Sequence, residues 1–481
     1  MAAAAAASFP QIDASPLNRK QRGLLLAAML GTMLEFFDFF LIAYVVSIIA
    51  EPWGLTTGQT GLLLISAGAS SIIGSLFFGW LADRIGRRKV FMATVLIFSV
   101  ATGAMAMVPE GDWVTLGLLR FVVGLGVGGL VVVDVPLVQE FVPAAKRGVL
   151  GGAVVLFIPM GSILGSLSAA YLAPTFGWRG LVLLGLLPAV ISLYVRFQVK
   201  ESPTWLLEQG RVKEARESVG WVLGIDPDKV QVPDYQAPEK TGFRELFAYR
   251  RSLIFGILSS FALQLPFYGI VLWGPSLVGM KMDVTPAGAA KLMIAVNVAG
   301  LLGRILAARL SETTGRRMTG AAFMGLATVF LVVTALGRDL ELLGTSGFYV
   351  FLIAAWFFLD GSFSVALPYW AEHFPTRMRS AGTGVAYGVG GLGKIIGPAV
   401  LVLISGAGTA VEPEASNASI LPAFLLFAVV AALGALSYLL FAVETKGLDM
   451  DELEAKLNEQ VPVTTPKPGP IGTSAREEAS P

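Results

Sequence analysis

Apolar positions along the chain gather into twelve runs of about 20 residues or more, beginning near Gly23, Gly61, Val90, Trp113, Gly148, Trp178, Ser252, Thr285, Met318, Ser346, Ser380 and Ser419. A helix needs roughly 20 apolar residues to cross about 30 Å of hydrocarbon, so each run predicts one membrane-spanning helix. Polar residues collect between the runs. The longest polar stretch, Lys200 to Arg251, predicts short helices over Pro203–Gln209, Val212–Leu223 and Phe243–Tyr249, punctuated by Pro227, Pro233 and Pro238. It splits the chain into six spans and six. The expected organisation is a tail at 1–21, a six-helix bundle at 22–199, a linker at 200–251, a second bundle at 252–443 and a tail at 444–481. Beyond Val461 the tail is rich in Pro, Thr and Ser, which predicts disorder.

Composition agrees with the pattern. Hydrophobic residues make up 55% and charged residues 14% of the 481, with a mean hydropathy of +0.71. Soluble proteins carry roughly 25% charged residues, so the sequence reads as an all-α integral membrane protein. A net charge of +1 argues nothing about nucleic acid, and no nucleic-acid partner is expected. With no cysteine and one histidine, His373 at a helix end, neither a disulfide nor a metal site is expected, and no cofactor is implied. No catalytic cluster is visible, so an enzyme is not expected. The six-alanine run near the start lacks a basic flank and is not a secretory signal. Basic residues concentrate at Arg19, Lys20 and Arg22, from Asp83 to Lys89, at Lys146 and Arg147, and in the linker. The alternate connections are acidic or neutral. By the positive-inside rule both termini are expected in the cytoplasm of a multi-pass protein of the cell membrane, in lipid as a monomer.

The two halves repeat each other. Gly74 to Arg88 aligns without gaps on Gly303 to Arg317, with Gly74, Leu81, Gly86, Arg87 and Arg88 matched identically and Asp83 facing Glu312. Pro136, Glu140, Pro143 and Arg147 recur at the same spacing as Pro368, Glu372, Pro375 and Arg379. Duplicated bundles of this kind place a substrate site between the halves at the membrane midplane.

These residues resemble the major facilitator superfamily. Gly79-Trp-Leu-Ala-Asp-Arg-Ile-Gly-Arg-Arg-Lys89 is similar to its loop signature, and Lys200-Glu-Ser-Pro203 and Val443-Glu-Thr-Lys-Gly447 are similar to motifs of its sugar-porter and organic-ion branch. The resemblance implies twelve helices in two bundles working by alternating access. It also implies cytoplasmic ion pairs that latch the outward-facing state, carried to Asp83, Arg87, Arg88, Glu140, Arg147, Glu312, Glu372 and Arg379. The plainer reading is static surface salt bridges and topology signals, and the recurrence of the pairs in both halves favours the latch. Glu35-Phe-Phe-Asp38 resembles a motif of metabolite:proton symporters, and Tyr268-Gly-Ile-Val-Leu-Trp-Gly-Pro275 one of aromatic-acid and nicotinate carriers. Gly391-Leu-Gly-Lys-Ile-Ile-Gly-Pro398 resembles a motif of organic-anion carriers, with Gly391 in the arginine's place and Lys394 nearly one turn on.

Charges inside the spans narrow the function. An ionised group at the bilayer centre costs several kcal/mol, so those retained there are candidates for use. Glu35 and Asp38, at i and i+3, share one helix face near mid-span. The resemblance implies Asp38 as the proton carrier with Glu35 as its support, and Arg120, which opens a stretch resembling a family motif of proton coupling, as a fixed positive charge that either couples protons or locks its helix. Lys394 either holds an anionic substrate or forms a standing pair with Asp360. Asp134, Gln264, Tyr268, Trp273 and Tyr387 complete the expected binding set. Lys291, near a span end, is expected to snorkel. Gly124 to Gly129 and Gly388 to Gly393 both satisfy a dinucleotide fingerprint but lie inside spans, where small residues serve helix packing. The expectation is a secondary transporter taking up a small organic anion, an aromatic or short-chain carboxylate, with protons. The alternatives are a proton-coupled sugar or polyol porter, for which the lone Gln264 is thin support, and a transporter-like sensor, for which the tail is short.

Overall fold

Long helices start where a polar side chain can hold the first free N–H groups. Asn18 accepts from the Gln21 N–H while the Gln21 side chain accepts from the Asn18 N–H, and α1 (Arg19–Ile49) follows. Thr56 and Gln59 repeat the arrangement ahead of α2 (Thr57–Ile85). The computed structural model describes residues 9–131, 133, 137, 139–143, 146–189, 199–233, 243–342, 344–375, 378–406, 408, 413–448 and 450–458. After α2 come α3 (Arg87–Met105), α4 (Trp113–Val131), α5 (Arg147–Val155), α6 (Phe157–Tyr171) and α7 (Ala173–Leu183). The linker supplies α8 (Pro203–Glu208) and α9 (Val212–Leu223). The second set is α10 (Arg250–Met282), α11 (Pro286–Thr314), α12 (Arg316–Leu336), α13 (Gly347–Glu372), α14 (Arg379–Gly390), α15 (Gly393–Ser405) and α16 (Pro413–Leu440), with α17 (Met450–Asn458) in the tail.

Among the described residues, 11 helices are long and apolar enough to cross a membrane, with α5–α6 and α14–α15 each forming one broken span. The run expected to open near Trp178 is described only as far as residue 189, so the twelfth span of the expected dozen is seen in part. The linker helices lie where the sequence predicts them, the third as a turn of helix at Phe243–Leu246 followed by a tighter turn at Phe247–Tyr249.

Packing follows the repeat. In the first set α2 lies along α4, and α1 along α6; in the second, α11 lies along α13, and α10 along α14 and α15. Gly74 and its repeat mate Gly303 lie at the α2–α4 and α11–α13 crossings. A Cβ at Gly74 would strike the Leu125 carbonyl on α4, and one at Gly303 the Phe357 carbonyl on α13. Only a glycine lets the backbones meet there.

The linker and tail divide their loyalties. Asn18 Nδ2 donates to Val222 O at 2.6 Å and Trp205 Nε1 to Asp83 O at 2.9 Å, so α8 and α9 ride on the first set. Leu453 and Leu457 of α17 bury against Leu246, Tyr249, Phe374 and Met378, so the tail rides on the second. The sets meet through α1 against α10, α6 against α11 and α2 against α15. The last of these contacts runs from mid-span to the end opposite the Arg-rich loops, where Gly61 abuts Val402.

Candidate functional site

The α1–α10 contact is aromatic. Phe39 and Phe40 set their rings 6.0 and 6.4 Å from Tyr268, and Phe267 stacks on Trp356 at 4.9 Å. Lys394 stands at the start of α15, its Nζ 5.6 Å from the Tyr268 ring centre and 5.1 Å from that of Tyr387. Both rings offer it their electron-rich faces. Glu35, buried on α1, lies within electrostatic reach of Lys394 and Tyr268.

The expected alternative of a Lys394–Asp360 pair is not formed. Asp360 is held by Arg304 in a two-pronged bridge, Nε to Oδ2 at 2.9 Å and Nη2 to Oδ1 at 2.7 Å, both residues buried. Among the described residues Lys394 has no carboxylate within 4 Å. Arg304 is a charge inside a span to which the sequence assigns no role.

Asp38 is placed differently. It is fully buried, its carboxylate oxygens accept no hydrogen bond among the described residues, and Arg120 Nη1 lies 4.0 Å from Oδ2. Arg120 itself is tied to backbone, donating to Asp38 O at 3.3 Å and Phe39 O at 2.9 Å. The guanidinium therefore faces the carboxylate without gripping it. A Cβ at Gly185 would lie 2.7 Å from Asp38 Oδ1, so the acid is backed by bare backbone.

Other expected members disperse. Gln264 donates to Ser260 Oγ at 2.8 Å and to Tyr387 O, lining the same region from α10. Trp273 ties α10 to α15 by donating to Pro398 O at 3.0 Å, a packing role. Asp134 lies outside the described residues. Lys291 of α11 sets its Nζ over the Tyr171 ring, 5.6 Å from the centre. His373 is buried, its Nε2 accepting the Val443 N–H and its Nδ1 bonded to Tyr369 O, a cap on the end of α13. Asn297, not singled out in the sequence, joins the halves: its Nδ2 donates to Tyr44 OH at 3.3 Å and Ser162 O at 3.2 Å.

The repeated motifs close two matching networks at the Arg-rich end. In the first, Arg87 pairs with Glu140, which accepts from Ser202 Oγ, while Glu201 Oε1 takes the Arg88 N–H at 2.9 Å. In the second, Arg316 pairs with Glu372, which accepts from Thr445 Oγ1 at 2.6 Å, while Glu444 takes the N–H groups of Arg316 and Arg317 at 3.0 and 3.1 Å. Each outlying glutamate sits on the N-terminus of a helix, α3 or α12, where free N–H groups and the helix dipole favour an anion. Gly86 and Gly315 make room with φ of 104° and 99°. Every described pair stays within its own half. Glu312 is exposed and, among the described residues, pairs with Arg316, one turn on, and Arg147 Nε donates to Val142 O. Asp83 makes no ion pair within 4 Å among the described residues, and Arg379 opens α14 half-buried.

Residues 24–457 match the family described as sugar (and other) transporter. The chain belongs to that family, within the major facilitator superfamily. It is therefore a multi-span membrane transporter and not an enzyme. Among relatives of this transporter, the niacin transporter of Acinetobacter baylyi is 32% identical over 81% of this chain and 89% of its own. The cis,cis-muconate transport protein of the same organism is 27% identical over 80% and 87%. The partially occluded, inward-open xylose transporter of E. coli matches the transporter's fold with a TM-score of 0.69, over 90% of this chain and 100% of that one, at 18% identity. That likeness concerns architecture alone.

Proposed function

We propose that this transporter takes up a small organic anion, an aromatic or short-chain carboxylate, together with protons. The moving units are the bundles 22–199 and 252–443, alternating access about the central aromatic zone with both termini in the cytoplasm. The observation that carries this reading is Lys394. It is a cation in the middle of the molecule, flanked by two tyrosine rings, and the acid that would have neutralised it is spent on Arg304. A carboxylate would satisfy the ammonium and a flat substituent would lie against the rings. Two relatives named for carboxylate substrates, niacin and cis,cis-muconate, support the same class.

Proton coupling belongs to Asp38. A carboxylate gripped by two N–H groups, as Asp360 is, must break both bonds to take a proton. Asp38 has no such two-pronged grip to break, and Arg120 at 4.0 Å still compensates its charge when the proton leaves. Loading outside and release inside would then be coupled to the swing of the halves. Uptake of labelled benzoate, nicotinate, short-chain acids and hexoses into proteoliposomes under an imposed pH gradient tests both parts. Asp38→Asn should abolish gradient-driven accumulation, by at least about tenfold, yet keep exchange of substrate for substrate. Accumulation that persists in Asp38→Asn refutes the coupling. The sugar-porter reading has the family's breadth behind it, and competition by neutral hexoses alone would favour it and make Lys394 structural.

A further inference from the structure

Several threonines inside the spans bond their own helix. Thr94 donates to Val90 O at 3.0 Å, Thr328 to Met324 O at 2.9 Å and Thr334 to Phe330 O at 2.7 Å. Thr102 on α3 departs from this habit. It is fully buried, and its Oγ1 has no hydrogen-bond partner among the described residues. Its side chain meets Asp38 instead. A Cβ built on Gly185, in the tight turn Leu184–Leu186 after α7, would lie 2.3 Å from Thr102 Cγ2, 3.0 Å from Thr102 Cβ and 2.7 Å from Asp38 Oδ1. Bare glycine backbone lets the two side chains stand together there.

The surroundings offer Asp38 an uneven set of partners. Among the described residues, Arg120 on α4 is the cation within 4.0 Å of the carboxylate, and Glu35 stands nearly one turn earlier on α1. α3 past Lys89 and the turn Leu184–Leu186 hold no titratable side chain, and Arg179 of α7 is engaged by Ala106 O, Val108 O and Glu110. An arginine only donates, so it serves the carboxylate but not the O–H of the protonated acid. A hydroxyl both donates and accepts. One threonine can therefore serve the acid in either charge state by turning about its C–O bond.

We propose that Thr102 is the positioning residue for the proton on Asp38, its Oγ1 accepting from the acid in the loaded state and donating to the carboxylate after release, with Gly185 leaving room for both side chains. This rests on the proton-coupling reading above. It seats the loaded proton inside the first set, to which α1, α3, α4 and α7 all belong, and apart from Lys394 on α15.

Infrared difference spectra of the full chain in proteoliposomes, recorded across a pH titration without substrate, read the acid directly. The carbonyl band of protonated Asp38 is the one that Asp38→Asn removes. Thr102→Val keeps the side chain's shape and deletes the hydroxyl, and should move that band. Thr102→Ser returns the hydroxyl and should bring the band back to its place. Gradient-driven accumulation of labelled nicotinate should fall about tenfold in Thr102→Val, the worth of one such bond, and recover in Thr102→Ser, while exchange of substrate for substrate persists in both. A band that stays in place in Thr102→Val, or that Thr102→Ser displaces equally, overturns the role of Thr102 and leaves Asp38 as the proton carrier. Accumulation undiminished in Thr102→Val also overturns it. The spectra need no transported substrate, so they decide the matter even where nicotinate is not accumulated. If Asp38→Asn removes no band at any pH, Asp38 takes no proton, and the coupling reading fails together with this inference.

Discussion

Asp360 and Asp38 carry the same charge into the membrane under opposite conditions. The Asp360–Arg304 bridge is doubly hydrogen-bonded and buried, and removing one partner of such a pair strands the other, at about 3–5 kcal/mol. Asp38 makes no comparable bond, so neutralising it leaves only Arg120, which is already anchored on two carbonyls. Asp360→Asn is therefore expected to lower the melting temperature of the purified protein by many degrees, and Asp38→Asn by little; equal losses would refute the distinction between a structural and a working acid. That distinction was only half legible in the sequence. Depth along the spans picked out Asp38, Asp360 and Lys394 as midplane charges. It did not reveal that Arg304 takes Asp360, because the choice of partner depends on how α11 and α13 are rotated, which spacing along one helix does not encode. Asn297 escaped for a related reason: an uncharged amide in an apolar run carries no cost large enough to stand out.

Helix ends explain why two short motifs far from the midplane recur. The turn into α3 needs Gly86 at φ 104°, a left-handed conformation that side chains resist, and the space a Cβ would occupy is filled by the Glu201 carboxylate. Gly315 and Glu444 repeat both requirements before α12. Gly86→Ala is therefore expected to be worse than an ordinary strained turn, since it also displaces the cap from Arg88 N–H. Folded yield and melting temperature should drop clearly, whereas Glu201→Gln, which keeps an acceptor but loses the charge, should cost about 1 kcal/mol or less. A Gly86→Ala protein as stable as the parent would show that the cap does not hold α3. The arginines and glutamates of these networks were legible from the internal repeat. The partnership of Glu201 with Arg88, and of Glu444 with Arg316, was not, because each joins segments more than a hundred residues apart through backbone N–H groups that no sequence pattern displays.

At the scale of the whole molecule, the halves touch, among the described residues, through the middle and the end opposite the Arg-rich loops, and the described ion pairs at the loop end stay inside their own halves. Such a molecule is closed on one side of its central zone. The proposed alternating access requires that these contacts, including Gly61 against Val402 and Asn297 against Tyr44, separate in every cycle. The chain has no cysteine, so an introduced pair would be its only thiols. A Cβ built on Gly61 lies 3.5 Å from Val402 Cβ, within the range of about 3.5–4.5 Å that a disulfide spans. Gly61→Cys with Val402→Cys also removes the Val402 methyls that would otherwise collide with the new side chain. Mild oxidation of the double variant should form the crosslink and stop gradient-driven uptake, and reduction should restore it, while either single variant is indifferent to the oxidant. Uptake that continues in fully crosslinked protein would mean that this end never opens, and the substrate would then need a route that does not pass between α2 and α15.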